Sequence, residues 1–198
     1  MKNFAFILLL LLAAPAHGQA AFESERVTHG GFFGPVVKFS SMNGEEARLF
    51  GVRGGWLLNG ERGHTVAFGG GAYGVMNDVA ATGITLNGQP VFLGIDYGGL
   101  ELAYVNRSLR LIHLGIEALV GMGGIDYRDV EEGVLAGGGG DDFFVVEPGV
   151  HATLNVANFL RLGGGVSYRF IDGVSLPGAR SDDLSGVSSV VTIQLGSF

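Results

Sequence analysis

The stretch from Leu109 to Gly124 constrains the fold more than any other part of the chain. Its even positions, Ile112, Leu114, Ile116, Ala118, Val120 and Met122, are six consecutive apolar residues at period two. Its odd positions include His113, Gly115, Glu117, Gly121 and Gly123. Period two is the signature of a β-strand, whose side chains alternate between faces. A tilted strand crosses the hydrocarbon of a bilayer in about 9–11 residues, so this one can span with one face greasy along its length. Soluble half-buried strands also alternate, but they are usually about 5–6 residues and rarely keep an apolar face for so long.

At 198 residues the chain has material for one closed sheet but not for two sizeable cores. Glycine is abundant, at 36 residues, and charged residues are sparse, at 16%. There is no collagen-like period, so the glycines serve turns, close backbone approach or a narrow interior. A net charge of −7 argues against a nucleic-acid partner, because nothing here could neutralise a run of phosphates. The absence of cysteine excludes disulfides, thiolate metal sites, cysteine nucleophiles and a lipoprotein anchor.

The amino terminus reads as a secretory signal. Lys2 supplies the positive charge, and Phe4 to Ala14 is an apolar run too short to span as a helix. Small residues at Gly18 and Ala20 place cleavage after Ala20, with Ala16/Gly18 as the second choice. The expected division is therefore a signal over 1–20, a polar lead-in over 21–30 and a single domain over 31–198.

Eight strand-like segments follow, at about 33–42, 46–58, 64–76, 91–104, 109–124, 142–155, 159–170 and 187–197, bounded by turn residues such as Asn43-Gly44 and Asn59-Gly60. No segment keeps a capped helical period, so no helix is expected beyond the signal. Connections after the second, fourth and sixth segments are short, whereas 77–90, 125–141 and 171–186 are long; only the first connection, at Asn43-Gly44-Glu45, breaks the parity. Outer-membrane barrels have this asymmetry, with short periplasmic turns and longer outer loops. Two irregularities are expected. One is a bulge or bend at Pro148-Gly149, where a closed barrel has no free edge for proline. The other is a bulge at Gly98-Gly99, because Leu93, Ile95 and Tyr97 share one face before it and Leu100, Leu102 and Tyr104 share one after it.

Export signal, eight alternating segments, loop parity, the aromatics Trp56, Tyr104 and Phe159 and a terminal Phe198 together resemble the small eight-stranded outer-membrane barrels of the OmpA and OmpX type, over about 165 residues. The resemblance implies an all-β, eight-stranded antiparallel up-and-down transmembrane barrel. It also implies an aromatic-ended last strand that serves as an assembly signal. Here Val187, Val191, Ile193 and Leu195 lie on the face opposite Phe198, and the better copy of that pattern is Gly165–Phe170, one strand early.

If the apolar faces meet lipid, then Arg53, Asp96, His113, Glu117, Glu147, His151, Arg161, Arg169 and Gln194 point inward. Three arginines and three carboxylates would then balance, with Asp96 level with Glu117 across the hairpin. The expected result is a salt-bridged plug, since an eight-stranded interior is just wide enough for side chains to fill; the sharper alternative is a narrow polar path for water or ions. Chemistry has little support. Gly69–Gly74 matches G-x-G-x-x-G, but no helix follows to receive a pyrophosphate. His151, Thr153 and Glu147 share a face but lack a nucleophile turn. The acidic loops around Asp126, Asp129, Glu131, Glu132, Asp141 and Asp142, and around Asp172, Asp182 and Asp183, lack EF-hand spacing and read as solvated charge, with weak divalent bridging to lipopolysaccharide as the other reading. The sequence thus points to a monomeric, non-enzymatic barrel with no cofactor, in contact with outer-membrane lipid and lipopolysaccharide. Two alternatives stand beside it: a soluble lipocalin-like carrier of a hydrophobic ligand and a lipid-modifying hydrolase.

Overall fold

The structure, a computed structural model, describes residues 28–60, 63–86, 88–129, 133–134 and 139–198. The expected signal peptide and its cleavage site lie outside the described residues. Ten strands and one helical turn follow in order: β1 (Thr28–Met42), β2 (Glu45–Asn59), β3 (Thr65–Val75), β4 (Ala80–Leu86), β5 (Gln89–Asn106), β6 (Ile112–Asp129), β7 (Gly133–Val134), β8 (Gly140–Ala157), β9 (Leu160–Asp172), α1 (Ser181–Leu184) and β10 (Gly186–Ser197). Eight of them close an antiparallel barrel through the pairs β1–β2, β2–β3, β3–β5, β5–β6, β6–β8, β8–β9, β9–β10 and β10–β1. Closure leaves no free edge in this eight-stranded wall, which a barrel in lipid requires because no water is present to pair exposed backbone groups. Thr28, Phe198, Gly60, Gly63 and the turns at 107–111 and 158–159 lie at one end; the Asn43-Gly44 turn and the described parts of the three long connections lie at the other.

β6 carries the alternation that the sequence announces. Leu114, Ile116, Val120 and Met122 are exposed on the outer wall, while His113 and Leu119 are buried. The strand begins at Ile112 and continues to Asp129, so Leu109 and Leu111 belong to the preceding turn. Phe33, Phe50, Leu102, Val150, Val166 and Ile193 continue the exposed apolar surface around the barrel. At about 3.3 Å per residue and a tilt near 40°, the run from Ile112 to Met122 reaches roughly 25 Å along the barrel axis, the height of a membrane barrel's apolar band.

No bulge forms at Gly98-Gly99 or at Pro148-Gly149. β5 keeps one register past Gly98-Gly99 against β3 and against β6. The apparent shift arises because Leu93, Ile95 and Tyr97 point inward, into an apolar core, while Leu100, Leu102 and Tyr104 point outward. Around Pro148 the β8–β9 register is likewise unchanged from Val146↔Phe170 to Gly149↔Ser167, and only the two intervening pairs are missing; the shift comes lower, between Asn155 and Ala157. Losing a ladder bond at proline is therefore absorbed without an extra residue. The long connections hold more structure than expected: β4 folds back on the upper part of β5, and α1 adds a single helical turn.

Glycine lets adjacent strands approach at the tightest points of the wall. A Cβ on Gly69 would run into the carbonyl oxygen of Gly54, and one on Gly121 into that of Gly98. Gly71 leaves room for the Tyr73 and Glu101 side chains, so the G-x-G-x-x-G match serves the packing of a narrow interior.

Candidate functional site

The interior is organised in three layers. In the middle, Lys38 enters from β1 and places its Nζ 2.8 and 2.9 Å from the two carboxylate oxygens of Glu147 on β8. Tyr97 Oη donates to Glu147 at 2.7 Å and Ser167 Oγ donates at 2.5 Å, so each carboxylate oxygen has two donors. Lys38 Nζ also sits 3.6 Å from the centre of the Tyr73 ring. Tyr73 Oη donates to Glu101 at 2.5 Å, and Arg53 bridges Glu101 at 3.0 Å and Glu117 at 2.8 Å. His151 Nδ1 stands 3.5 Å from Glu117. Buried charges are tolerated when paired and hydrogen-bonded, and this layer joins two cations and three carboxylates through two tyrosines.

Above it lies an apolar core. Leu49, Val79, Leu93, Ile95, Ile125, Phe143, Val145 and Leu184 are almost fully buried there. The long connections form its roof. Asn43, held at φ +52, donates from Nδ2 to Ala80 O at 2.7 Å and Gly178 O at 3.0 Å, while its backbone N–H reaches Asp183 O at 2.7 Å. The first turn thus ties β4 to the segment carrying α1. Tyr127 Oη adds a bond to Pro177 O at 2.6 Å. Asp141 accepts the Ser175 N–H at 2.7 Å and its hydroxyl at 2.9 Å, and these bonds hold its carboxyl below the usual aspartate range.

The floor is built from Leu57, Ala67 and Ala103 with Phe32 and Phe198 packed on them. Arg161 lies over the Phe198 ring, 3.9 Å from its centre, and donates to Ser108 O at 3.3 Å. The terminal aromatic is therefore turned inward, as its register opposite Val191, Ile193 and Leu195 requires.

Of the nine residues expected inside, Arg53, His113, Glu147, Arg161 and Arg169 are buried, and Glu117, His151 and Gln194 are partly buried on the inward face. Asp96 is exposed on the outer wall and pairs with Gly124, not with the level of Glu117, which pairs with Ala103. Its inward placement rests on the premise that Leu93, Ile95 and Tyr97 meet lipid, and the apolar upper core reverses that premise. Asp96, Asp126 and Asp142 instead border an open depression of about 390 Å³ just above the apolar band. The arginines are not one set. Arg169, fully buried, gives two bonds to Leu184 O at the end of α1, at 3.0 and 2.9 Å. The cluster's other cation is Lys38, and its third carboxylate is Glu101. Sequence parity could have found both, since Lys38 lies between outward Val37 and Phe39, and Glu101 between outward Leu100 and Leu102. The hydrolase-like set is not assembled: Glu147 is occupied by Lys38, Tyr97 and Ser167, and His151 faces Glu117.

No family model matches the chain, and no curated protein matches it by sequence. Solved structures do match its fold. Ail, the attachment invasion locus protein of Yersinia pestis, is 10% identical with a TM-score of 0.51, and its complex with the heparin analogue sucrose octasulfate is 10% identical with a TM-score of 0.53. Neisserial surface protein A is 11% identical with a TM-score of 0.51. Each comparison covers 87% of this chain and 99% of the other. With its closed sheet and continuous apolar wall, the chain has the fold of these small eight-stranded outer-membrane β-barrels.

Proposed function

We propose that this integral outer-membrane barrel is a non-conducting structural protein whose interior is a side-chain plug and whose outer end serves surface interaction. The observation that carries the reading is the layering: a paired ionic cluster lies between an apolar upper core with a tied roof and an apolar floor. An ion crossing would have to leave water in both apolar layers, which is costly. The outward apolar band favours this over a soluble carrier, whose wall would be polar. In planar bilayers the purified full-length protein is expected to give no conductance steps; discrete, reproducible steps would reject the plug.

The outer end bears Glu45, Glu46, Asp78, Asp142, Asp182 and Asp183 against Arg48, Arg128 and Arg180. That balance suits cationic partners or cation-bridged lipopolysaccharide. It does not suit a polyanion such as the sulfated sugar bound to Ail. The barrel is read as a monomer without enzymatic activity. Release of fatty acid from lipid A that is lost in His151→Ala would overturn the second of these.

A further inference from the structure

The turn between β5 and β6 is the part of the molecule that the plug does not explain. It runs Arg107-Ser108-Leu109-Arg110-Leu111 at the short-turn end, and Leu109 and Leu111 are 81% and 67% exposed. Two exposed leucines are unfavourable in water, yet the backbone that presents them is held firmly. Ser108 is buried; its N–H donates to Gly63 O at 2.9 Å, and its carbonyl accepts from Asn155 Nδ2 at 2.9 Å and Arg161 Nη2 at 3.3 Å. Arg110 O accepts from the same Asn155 amide at 2.6 Å. Four hydrogen bonds to three other segments thus hold one turn in a fixed shape. Arg107 sits at φ +56, a conformation that costs a side-chain-bearing residue free energy.

The turn continues the lipid-facing wall, since Ile112 and Leu114 follow it directly on β6 and are 62% and 66% exposed. Phe159, in the neighbouring turn, is 62% exposed. Among the described residues of 57–65, 105–115 and 153–161 the charged side chains are arginines, with no aspartate or glutamate, and Arg107 and Arg110 are both exposed. Apolar side chains with arginines at the edge of a lipid band match a phospholipid, whose acyl chains take the leucines and whose phosphate takes the guanidinium groups. We infer that the 107–111 turn is a binding surface for anionic phospholipid of the inner leaflet, with Leu109 and Leu111 against the chains and Arg107 and Arg110 on the headgroup. The inference rests on the membrane-spanning reading above.

Trp56, the chain's only tryptophan, lies at the same end and reports on the lipid beside it. The full-length protein is refolded into phosphatidylcholine vesicles containing 20% or so of phosphatidylglycerol, with one or the other lipid brominated to quench the fluorescence. Brominated phosphatidylglycerol is expected to associate preferentially, by roughly fivefold per arginine at low salt, and the preference should shrink in 0.5 M or so of salt. Arg107→Asn/Arg110→Gln should bring the two lipids to equal association, whereas Arg107→Lys/Arg110→Lys should keep the preference. Heat-modifiable migration confirms that each variant is folded. Equal quenching by the two lipids in the wild type, or a preference unchanged in the neutral variant, overturns the lipid site. Quenching by neither lipid would overturn the membrane-spanning reading itself.

Discussion

Lys38 and Glu147 illustrate how little room a buried charge has in this interior. Both are more than nine-tenths enclosed, and the ammonium touches both carboxylate oxygens. Removing one partner strands the other, at a cost of about 3–5 kcal/mol, whereas replacing both by neutral groups of similar size costs far less. Lys38→Met is therefore expected to lower unfolding stability in vesicles by that amount. Lys38→Met/Glu147→Gln should recover most of it, as a double-mutant cycle read by Trp56 fluorescence. Near-additive losses would show that the pair is not coupled. Outside the membrane, Asp141 gives a pH signature. The Ser175 N–H first, and then its hydroxyl, favour the ionised carboxylate, so the folded-state pKa lies below the ordinary 3.8. The contribution is complete above 3.8 and is lost as pH falls through the lower folded value. An NMR titration of the Asp141 carboxyl carbon should show a midpoint below 3.8, moving only part of the way back in Ser175→Ala, which keeps the backbone donor. A midpoint at 3.8 or higher would contradict the contact.

Among the elements, the Asn43-Gly44 turn does more than join β1 to β2. It is the short connection at the long-loop end, and its side chain is what both neighbouring connections bond to. Asn43→Gly keeps the left-handed backbone but removes the side-chain bonds, each worth about 0.5–1.5 kcal/mol. Amide exchange should accelerate over β4 and over 173–185 while the wall strands β2 and β6 stay protected. Unchanged exchange at β4 would show that the roof is held by other contacts. This turn also marks where sequence reading stops. The eight wall strands and the outward apolar side of β6 and β9 were legible because lipid demands an unbroken apolar face at period two, whereas the start of β1 and both ends of β6 were not. The upper core was not, because there apolar residues line the inside as well, and β5 then presents Leu93, Ile95 and Tyr97 on one face and Leu100 and Leu102 on the other. Alternation alone cannot say which of two apolar faces looks inward, which is why Asp96 lies on the outer wall against expectation. Nor does strand patterning foresee β4 or α1, whose places are set by contacts with the barrel mouth and not by a local period.

At the scale of the whole molecule, the barrel is stratified: acidic outer end, apolar roof and core, ionic middle, apolar floor, and a rim at the short-turn end whose described charged side chains are arginines. Each layer suits the medium or neighbour it meets, and the central claim is that this order is set by a bilayer around Ile112–Met122. The chain has no cysteine, so a single one can carry a nitroxide label without background. With labels at Leu114→Cys, Ile116→Cys, Val120→Cys and Asp126→Cys in lipid vesicles, oxygen and a water-soluble nickel complex compete as relaxation agents. Oxygen should dominate at the first three positions, and the nickel complex should reach only the label at 126. Nickel access at Ile116 comparable with that at Asp126 would contradict a membrane-spanning barrel.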